Sequence, residues 1–346
     1  MTWSKGRAEK RIGGILACLG LMTSGLFSAQ VFKYQKPKPE KGHLIQTVPF
    51  EKWLKINYCG PACLAMVLNS WDEARSFSQR KIADEIYDSG TQATYNSELV
   101  LYPRTKGFAS YSFQGTLQIL KDLVGKDIPV IVLTKTVKQL ARGHYRVVIG
   151  FDDDKGQIIF HDPLFGGRRA MKVKSFMKVW ELGKGRNQSR WMMAVVPGRT
   201  PFPFPALQSD PLTSINLATA YYRRSDFVRS REMWERVKES LDKDATPLYS
   251  LGMVSLRQGK FDEAEAYALQ ALGVDAKSAY AYDVLGLAYA NRGKMLPALQ
   301  SLGQALRLAP KEGFIRAHYL QVRALYIERA RLEYTQKKEK LNEKTS

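Results

Sequence analysis

Cysteine is scarce in this chain. Only Cys18, Cys59 and Cys63 occur among 346 residues, too few for a disulfide framework. Cys59 and Cys63 are four apart, so on a helix they stack on one face with poor disulfide geometry. The C-x-x-x-C spacing has no second ligand pair, which argues against a zinc centre. No metal and no cofactor are expected. Histidine is equally sparse: His43, His144, His161 and His318 are the full set. Acidic residues are also short, 33 against 53 basic ones, leaving a net charge of +20. Such an excess suits nucleic acid, anionic lipid or an acidic protein. No zinc-finger, RNP-type or helix-turn-helix pattern accompanies it, and the basic residues are spread along the chain. The charge therefore reads as solvated surface near a membrane, with no nucleic-acid partner.

Charge is missing altogether from Ile12 to Phe32, "IGGILACLGLMTSGLFSAQVF", which follows the basic Lys5, Arg7, Lys10 and Arg11. A run of this length reaches across a hydrocarbon core of about 30 Å. Residues 1–32 are expected to be a signal peptide cut near "FSAQ" or an uncleaved anchor with its basic end in the cytoplasm. Phe27 sits where a cleavage site wants a small residue, which favours the anchor. Only Ile12–Ala17 precede Cys18, a short hydrophobic core for a lipoprotein. Either main reading exports the rest of the chain, to a membrane-anchored or extracytoplasmic location. Residues 33–43, rich in lysine and proline, read as an extended linker.

Residues 44–197 carry mixed α and β signals. "NYCGPACLAMVLNSW" (57–71) places Gly60-Pro61 ahead of a strong helix former. Proline is favoured at the first helical position, so Cys59 is expected at or just before a helix N-terminus. There the macrodipole and unpaired N–H groups favour a thiolate, the state a nucleophile needs. Cys63, one turn on, reads as core packing. In "GHYRVVIGFDDDKGQIIFHDPLFGG" (143–167), two β-branched runs flank the turn signal "DDDKG" and predict a hairpin. His144 opens the first strand and Asp162 ends the second, just before Pro163. The two become neighbours, a base and the acid that orients it. His161, by strand alternation, points the other way. His43 in the linker and His318 in the far helical region read as surface residues.

These residues resemble the papain-like cysteine peptidases that process double-glycine leaders of bacteriocins, and more closely their exported stand-alone relatives. The similarity runs from about Thr47 to Pro197. It includes "QRKIADEIYDSGTQATYNSELVLYPRTKGFASYSF", similar to their helix-loop-helix and following strand, and "GKDIPVIVL", similar to the strand before the catalytic histidine. The resemblance implies a Cys59 nucleophile, a His144 base and an Asp162 orienting acid. One feature departs from it. The family places a glutamine five or six residues before the cysteine to bind the oxyanion, and here Leu54 and Trp53 hold those positions. Gln46 is too far upstream, which leaves the Cys59 N–H with either Asn57 or Lys52. Losing one oxyanion donor typically lowers the rate by about 10²–10³.

The proline-rich stretch 198–211 marks a boundary. Beyond it, Leu217-Ala218, Leu251-Gly252 and Leu285-Gly286 recur every 34 residues, as do Ser225-Asp226-Phe227, Gly259-Lys260-Phe261 and Gly293-Lys294-Met295. Ala264 matches Ala298, Ala271 matches Ala305, and Pro310 closes the third unit. The pattern resembles tetratricopeptide repeats, with Tyr221 and Tyr289 at the aromatic position and Ser255 departing from it. Three repeats are expected over 212–311, then a capping helix and charged tail over 312–346. Arg223, Arg224, Arg229 and Arg231 make the first repeat basic, which suits either an acidic partner or a solvated face.

The fold class is therefore an α+β papain-like cysteine peptidase domain followed by an all-α tetratricopeptide solenoid. The expected function is hydrolysis of a peptide or protein substrate by Cys59, His144 and Asp162. The repeats would bind substrate or a protein partner, and the N-terminal segment the membrane. The rival is a peptidase fold kept for peptide binding without catalysis. A transferase or amidase on the same fold shares the thiolate chemistry.

Overall fold

The structure, a computed structural model, describes residues 41–135, 143–183 and 189–345. The expected export segment (1–32) lies outside the described residues. No helix among the described residues is long and apolar enough to cross a membrane. The described residues form one compact unit.

The chain enters through strand β1 (Gly42–Leu44), which pairs with the far end of β6 (His43 opposite Phe151). His43 therefore belongs to the sheet, not to an extended linker; its ring bonds Asp127 at 2.8 Å. Helix α1 (Cys59–Trp71) follows, and every residue from Cys59 to Asn69 is buried. An all-round apolar helix of this kind can only be the centre of a core. Helix α2 (Gln79–Ile86), capped by the Ser78 hydroxyl, leads into a small ribbon of β2 (Tyr87–Asp88) and β3 (Ala93–Thr94). Helix α3 (Asn96–Thr105), strand β4 (Phe108–Gln114), helix α4 (Leu117–Val124) and strand β5 (Val130–Thr134) come next.

The predicted hairpin is present as β6 (His144–Asp152) and β7 (Gln157–Asp162). Strand β8 (Gly166–Lys172), helix α5 (Val173–Trp180) and strand β9 (Trp191–Pro197) complete the first part. The main sheet is antiparallel throughout, in the order β4-β9-β5-β6-β7-β8. Helix α1 packs on β5, β6 and β9, and the Trp71 indole N–H donates to the Val195 carbonyl at 3.0 Å, fixing the helix end on the sheet.

After the one-turn helix α6 (Pro205–Gln208), three helix pairs follow: α7 (Pro211–Arg223) with α8 (Phe227–Ser240), α9 (Thr246–Arg257) with α10 (Phe261–Val274), and α11 (Ala279–Asn291) with α12 (Met295–Leu308). The 34-residue period has a structural cause at two places. Ser225, Gly259 and Gly293 all take the left-handed conformation that ends the first helix of each pair (φ 60°, 73° and 75°). The paired helices also approach too closely for a side chain. A Cβ on Gly286 would lie 2.5 Å from Leu302 Cγ and 3.1 Å from the Ala298 carbonyl oxygen.

Ser255, the departure from the aromatic position, has its own partners. Its hydroxyl donates to Glu263, which pairs with Arg231 of the preceding repeat at 2.8 Å. The other three arginines of the first repeat are also paired within the chain. Arg223 bonds Asp88, Arg224 bonds Glu98, both at 2.7 Å, and Arg229 bonds Asp226. The last helix, α13 (Gly313–Thr345), packs on α11 and α12 and continues unbroken through the charged segment expected to be a tail. His318 lies on it, half-buried, with its ring 3.0 Å from the buried Asp283 carboxylate.

Candidate active site

Cys59 is the first residue of α1, as its sequence suggests, but the proline is not at the first helical position. Tyr58 is the cap and Pro61 the third residue of the helix. The placement is tolerated because the first few N–H groups of a helix have no intrahelical acceptor, so Pro61 forfeits no bond; the ladder starts with the Ala62 N–H donating to the Tyr58 carbonyl at 3.0 Å. Gly60 is required by close approach, since a Cβ there would come 2.9 Å from Thr94 Cβ. Cys63 is fully buried and unpaired. Burial, then the nearby Cys59 and Asp162, push its thiol well above the ordinary range. It is packing.

His144 and Asp162 meet as the hairpin predicts. The His144 Nε2 lies 2.8 Å from Asp162 Oδ1, and both side chains are about 1% exposed. The ring also hydrogen-bonds the Cys59 side chain. Burial disfavours charge on the imidazole, but the bonds to Asp162 and Cys59 outweigh it and raise His144 to about 9. Burial likewise opposes the Asp162 charge, and the bond to His144 and the charges of His144 and Arg146 overcome it, holding the carboxyl far below the usual range. His161 is elsewhere. Its Nε2 donates to the Val48 carbonyl at 3.1 Å and its Nδ1 accepts the Arg168 N–H at 3.0 Å, a structural role on the other side of the strand.

Two features of this site have no counterpart in the sequence reading. The first is Arg146, whose Nε donates to Asp162 Oδ2 at 2.7 Å while its Nη1 donates to the Thr134 hydroxyl. Together with the N–H groups of Leu164 and Phe165 on Oδ1 (2.9 and 3.2 Å), it leaves Asp162 held from every side. Arg146 lies two residues after His144, on the same strand face, so alternation is the available signal. The second is Trp53, one of the two residues standing where a glutamine was expected. Its ring meets His144 edge-on, with centroids 5.9 Å apart, and its backbone N–H donates to the Pro163 carbonyl at 3.0 Å. An indole there covers the imidazole and offers no amide.

A glutamine does support this loop from another direction. Buried Gln79 accepts the Leu54 N–H at 2.9 Å and donates to the Lys52 carbonyl at 2.8 Å. That leaves Asn57 of the two candidate oxyanion donors. It lines a cleft of about 600 Å³ together with Cys59, whereas Lys52 does not, and its backbone is left-handed at φ 68°. The site thus combines a thiol at a helix start, an imidazole held charged beside it, a carboxylate fixed behind the imidazole and an open cleft at the sulfur. That is equipment for nucleophilic attack followed by proton delivery.

Residues 45–187 match the Peptidase_C39 like family, and residues 245–278 match the tetratricopeptide repeat. The chain carries a C39-like peptidase domain followed by tetratricopeptide repeats. Among solved structures, the chain is similar to the peptidase domain of Streptococcus ComA, a bi-functional ABC transporter involved in a quorum sensing pathway. Identity is 22% over 43% of this chain and 98% of that one, with a TM-score of 0.36. It is also similar to the second TPR domain of human RPAP3 in complex with an HSP70 peptide (20% identity, 33% of this chain and 94% of that one, TM-score 0.30). The Arabidopsis OM64 TPR domain compares likewise (18% identity, 33% and 94%, TM-score 0.31). No curated protein matches the chain.

Proposed function

We propose that the C39-like domain is an active cysteine peptidase. The observation that carries this reading is His144, bound on one side to Asp162 and on the other to the Cys59 side chain. The Cys59 sulfur attacks the peptide carbonyl carbon and forms a carbon–sulfur bond, placing negative charge on the carbonyl oxygen. The Cys59 N–H and the Asn57 amide face that oxygen. His144, protonated at neutral pH, gives its proton to the departing amine as the carbon–nitrogen bond breaks. Water then attacks the acyl-enzyme and His144 takes up its proton; the carbon–sulfur bond breaks, the Cys59 sulfur leaves with the electron pair, and the acid product is released. Asp162 keeps the ring oriented, and Arg146 keeps Asp162 ionised.

The tetratricopeptide repeats serve as the binding surface for substrate or a protein partner, and the apolar N-terminal segment tethers or exports the enzyme. A cysteine-directed activity probe tests the chemistry. The wild-type protein is expected to be labelled at Cys59, and labelling should vanish in Cys59→Ala and drop about 10²–10⁴-fold in His144→Ala. Labelling that is unaffected by His144→Ala would sink the catalytic reading and leave a peptide-binding domain.

A further inference from the structure

We propose that the first repeat helix, α7, is a wall of the peptidase cleft, and that the cleft takes an uncharged stretch of peptide held by hydrogen bonds. The proposal rests on the reading of Cys59 as the nucleophile. The cleft that opens at Cys59 is bounded on one side by Thr94, Ser97 and Tyr145 of the peptidase domain and on the other by Asn216 and Thr219 of α7. The repeats therefore reach the position where the scissile bond would sit, rather than only a remote docking surface.

The wall is fixed. The Thr213 hydroxyl accepts the Ser112 N–H at 2.9 Å and donates to the Ser112 carbonyl at 3.0 Å, so it pairs with β4 as a strand residue would. Asn216 donates to the Ser112 hydroxyl at 3.2 Å. At the far end of α7, Arg223 and Arg224 are tied to Asp88 and Glu98. Leu212, Leu217 and Ala218 of α7 belong to the same buried cluster as the core of the peptidase domain.

The chemistry of the lining defines what fits. The Thr94 and Ser97 hydroxyls are buried and have no hydrogen-bond partner within the protein. A buried hydroxyl left unpaired is unfavourable, and such groups are normally matched by a partner. Both residues line the cleft beside Cys59, and a turn of either side chain brings its closed-off hydroxyl to a peptide's amide groups, which would satisfy it. Among the described residues, none that lines the cleft is Asp, Glu, Lys or Arg. A charged side chain entering the cleft gives up its water and finds no counter-charge among the described lining residues, His144 lying outside that lining, which disfavours it.

Alkylation of Cys59 in the full chain tests this. Peptidyl chloromethyl ketones identical except for one residue beside the reactive carbon (Ser, Asn, Asp or Lys) are compared, each rate being divided by that of iodoacetamide on the same protein. The neutral probes are expected to react about 100-fold faster than the charged ones. Thr219→Lys should raise the Asp probe at least tenfold relative to Ser, and Thr94→Val should slow the Ser probe about tenfold. A neutral-to-charged ratio below tenfold overturns the proposed selectivity. An unchanged Asp-to-Ser ratio in Thr219→Lys overturns the α7 wall, and an unchanged Ser rate in Thr94→Val removes the hydroxyl contact. If iodoacetamide itself reacts no faster at Cys59 than at Cys63, the nucleophile reading fails instead.

Discussion

Replacing Asp162 with asparagine and Arg146 with methionine, singly and together, separates what the buried pair does for folding from what it does for catalysis. In Asp162→Asn the shape of the side chain is kept. The amide oxygen can still accept from His144, Leu164 and Phe165, but the amide N–H₂ then faces the Arg146 Nε, donor against donor, at the site of a 2.7 Å bond. The guanidinium, 6% exposed, is left with an uncompensated charge, which costs about 3–5 kcal/mol. Arg146→Met alone is milder, about 2–3 kcal/mol, because Asp162 retains His144 and two backbone donors. The double variant removes both charges, so its loss should fall short of the sum by about 2 kcal/mol or more.

Urea unfolding followed by tryptophan fluorescence gives the four stabilities, and probe labelling of Cys59 gives reactivity. The double variant should regain much of its stability while staying about 10²–10⁴-fold less reactive, since His144 has lost its orienting acid. Losses that add within about 0.5 kcal/mol would refute the coupling. A double variant as reactive as the wild type would refute the assignment of Asp162.

Asn57→Gly keeps the left-handed backbone and deletes the amide; kcat should fall about 10²–10³-fold with unfolding unchanged, and an undiminished kcat would show that another group binds the oxyanion. Folding raises His144 from its ordinary 6.5 to about 9, so the stabilisation from its proton is complete below 6.5 and is lost as pH rises through about 9. Probe labelling that depends on this proton should stay level through neutral pH and decline above about 9; a decline between pH 6 and 7 would contradict the geometry. Ser225→Gly relieves the one non-glycine left-handed position of the three repeats and should raise stability by about 1 kcal/mol in thermal unfolding. Gly286→Ala should lower it by about 1–3 kcal/mol through the Leu302 and Ala298 contacts; no change would mean that the helix pair can part freely.

Local signals carry the sequence reading a long way. Gly60-Pro61 ahead of an uninterrupted apolar run sets a helix start at Cys59, because capping and propensity act within a few residues. The "DDDKG" turn between two β-branched runs brings His144 to Asp162, because a hairpin joins strands that are already adjacent. The 34-residue recurrence marks the repeats, because each one needs a left-handed turn and a small residue at the same points. Pro61, His43 and the charged C-terminal segment are less legible. Free N–H groups, an edge pairing and a helix continued from its folded beginning decide those cases, and none of them has a short-range signature.

What the sequence determined by itself is the set of chemical groups and the elements that carry them: a thiol at a helix start, an imidazole and a carboxylate on one hairpin, and a repeating helical array. The tertiary structure alone decided how these groups are supported. Arg146 reaches Asp162 only through the register of β6 on β7, and Trp53 covers His144 only because its loop is tied to Gln79 and Pro163. The proline-rich stretch reads as a separator, yet α7 beyond it bonds residues 101 to 135 positions earlier and joins the peptidase core. Contacts at that separation are selected by burial and by complementary polar groups. Those are properties of two surfaces meeting, and neither stretch of sequence records the other.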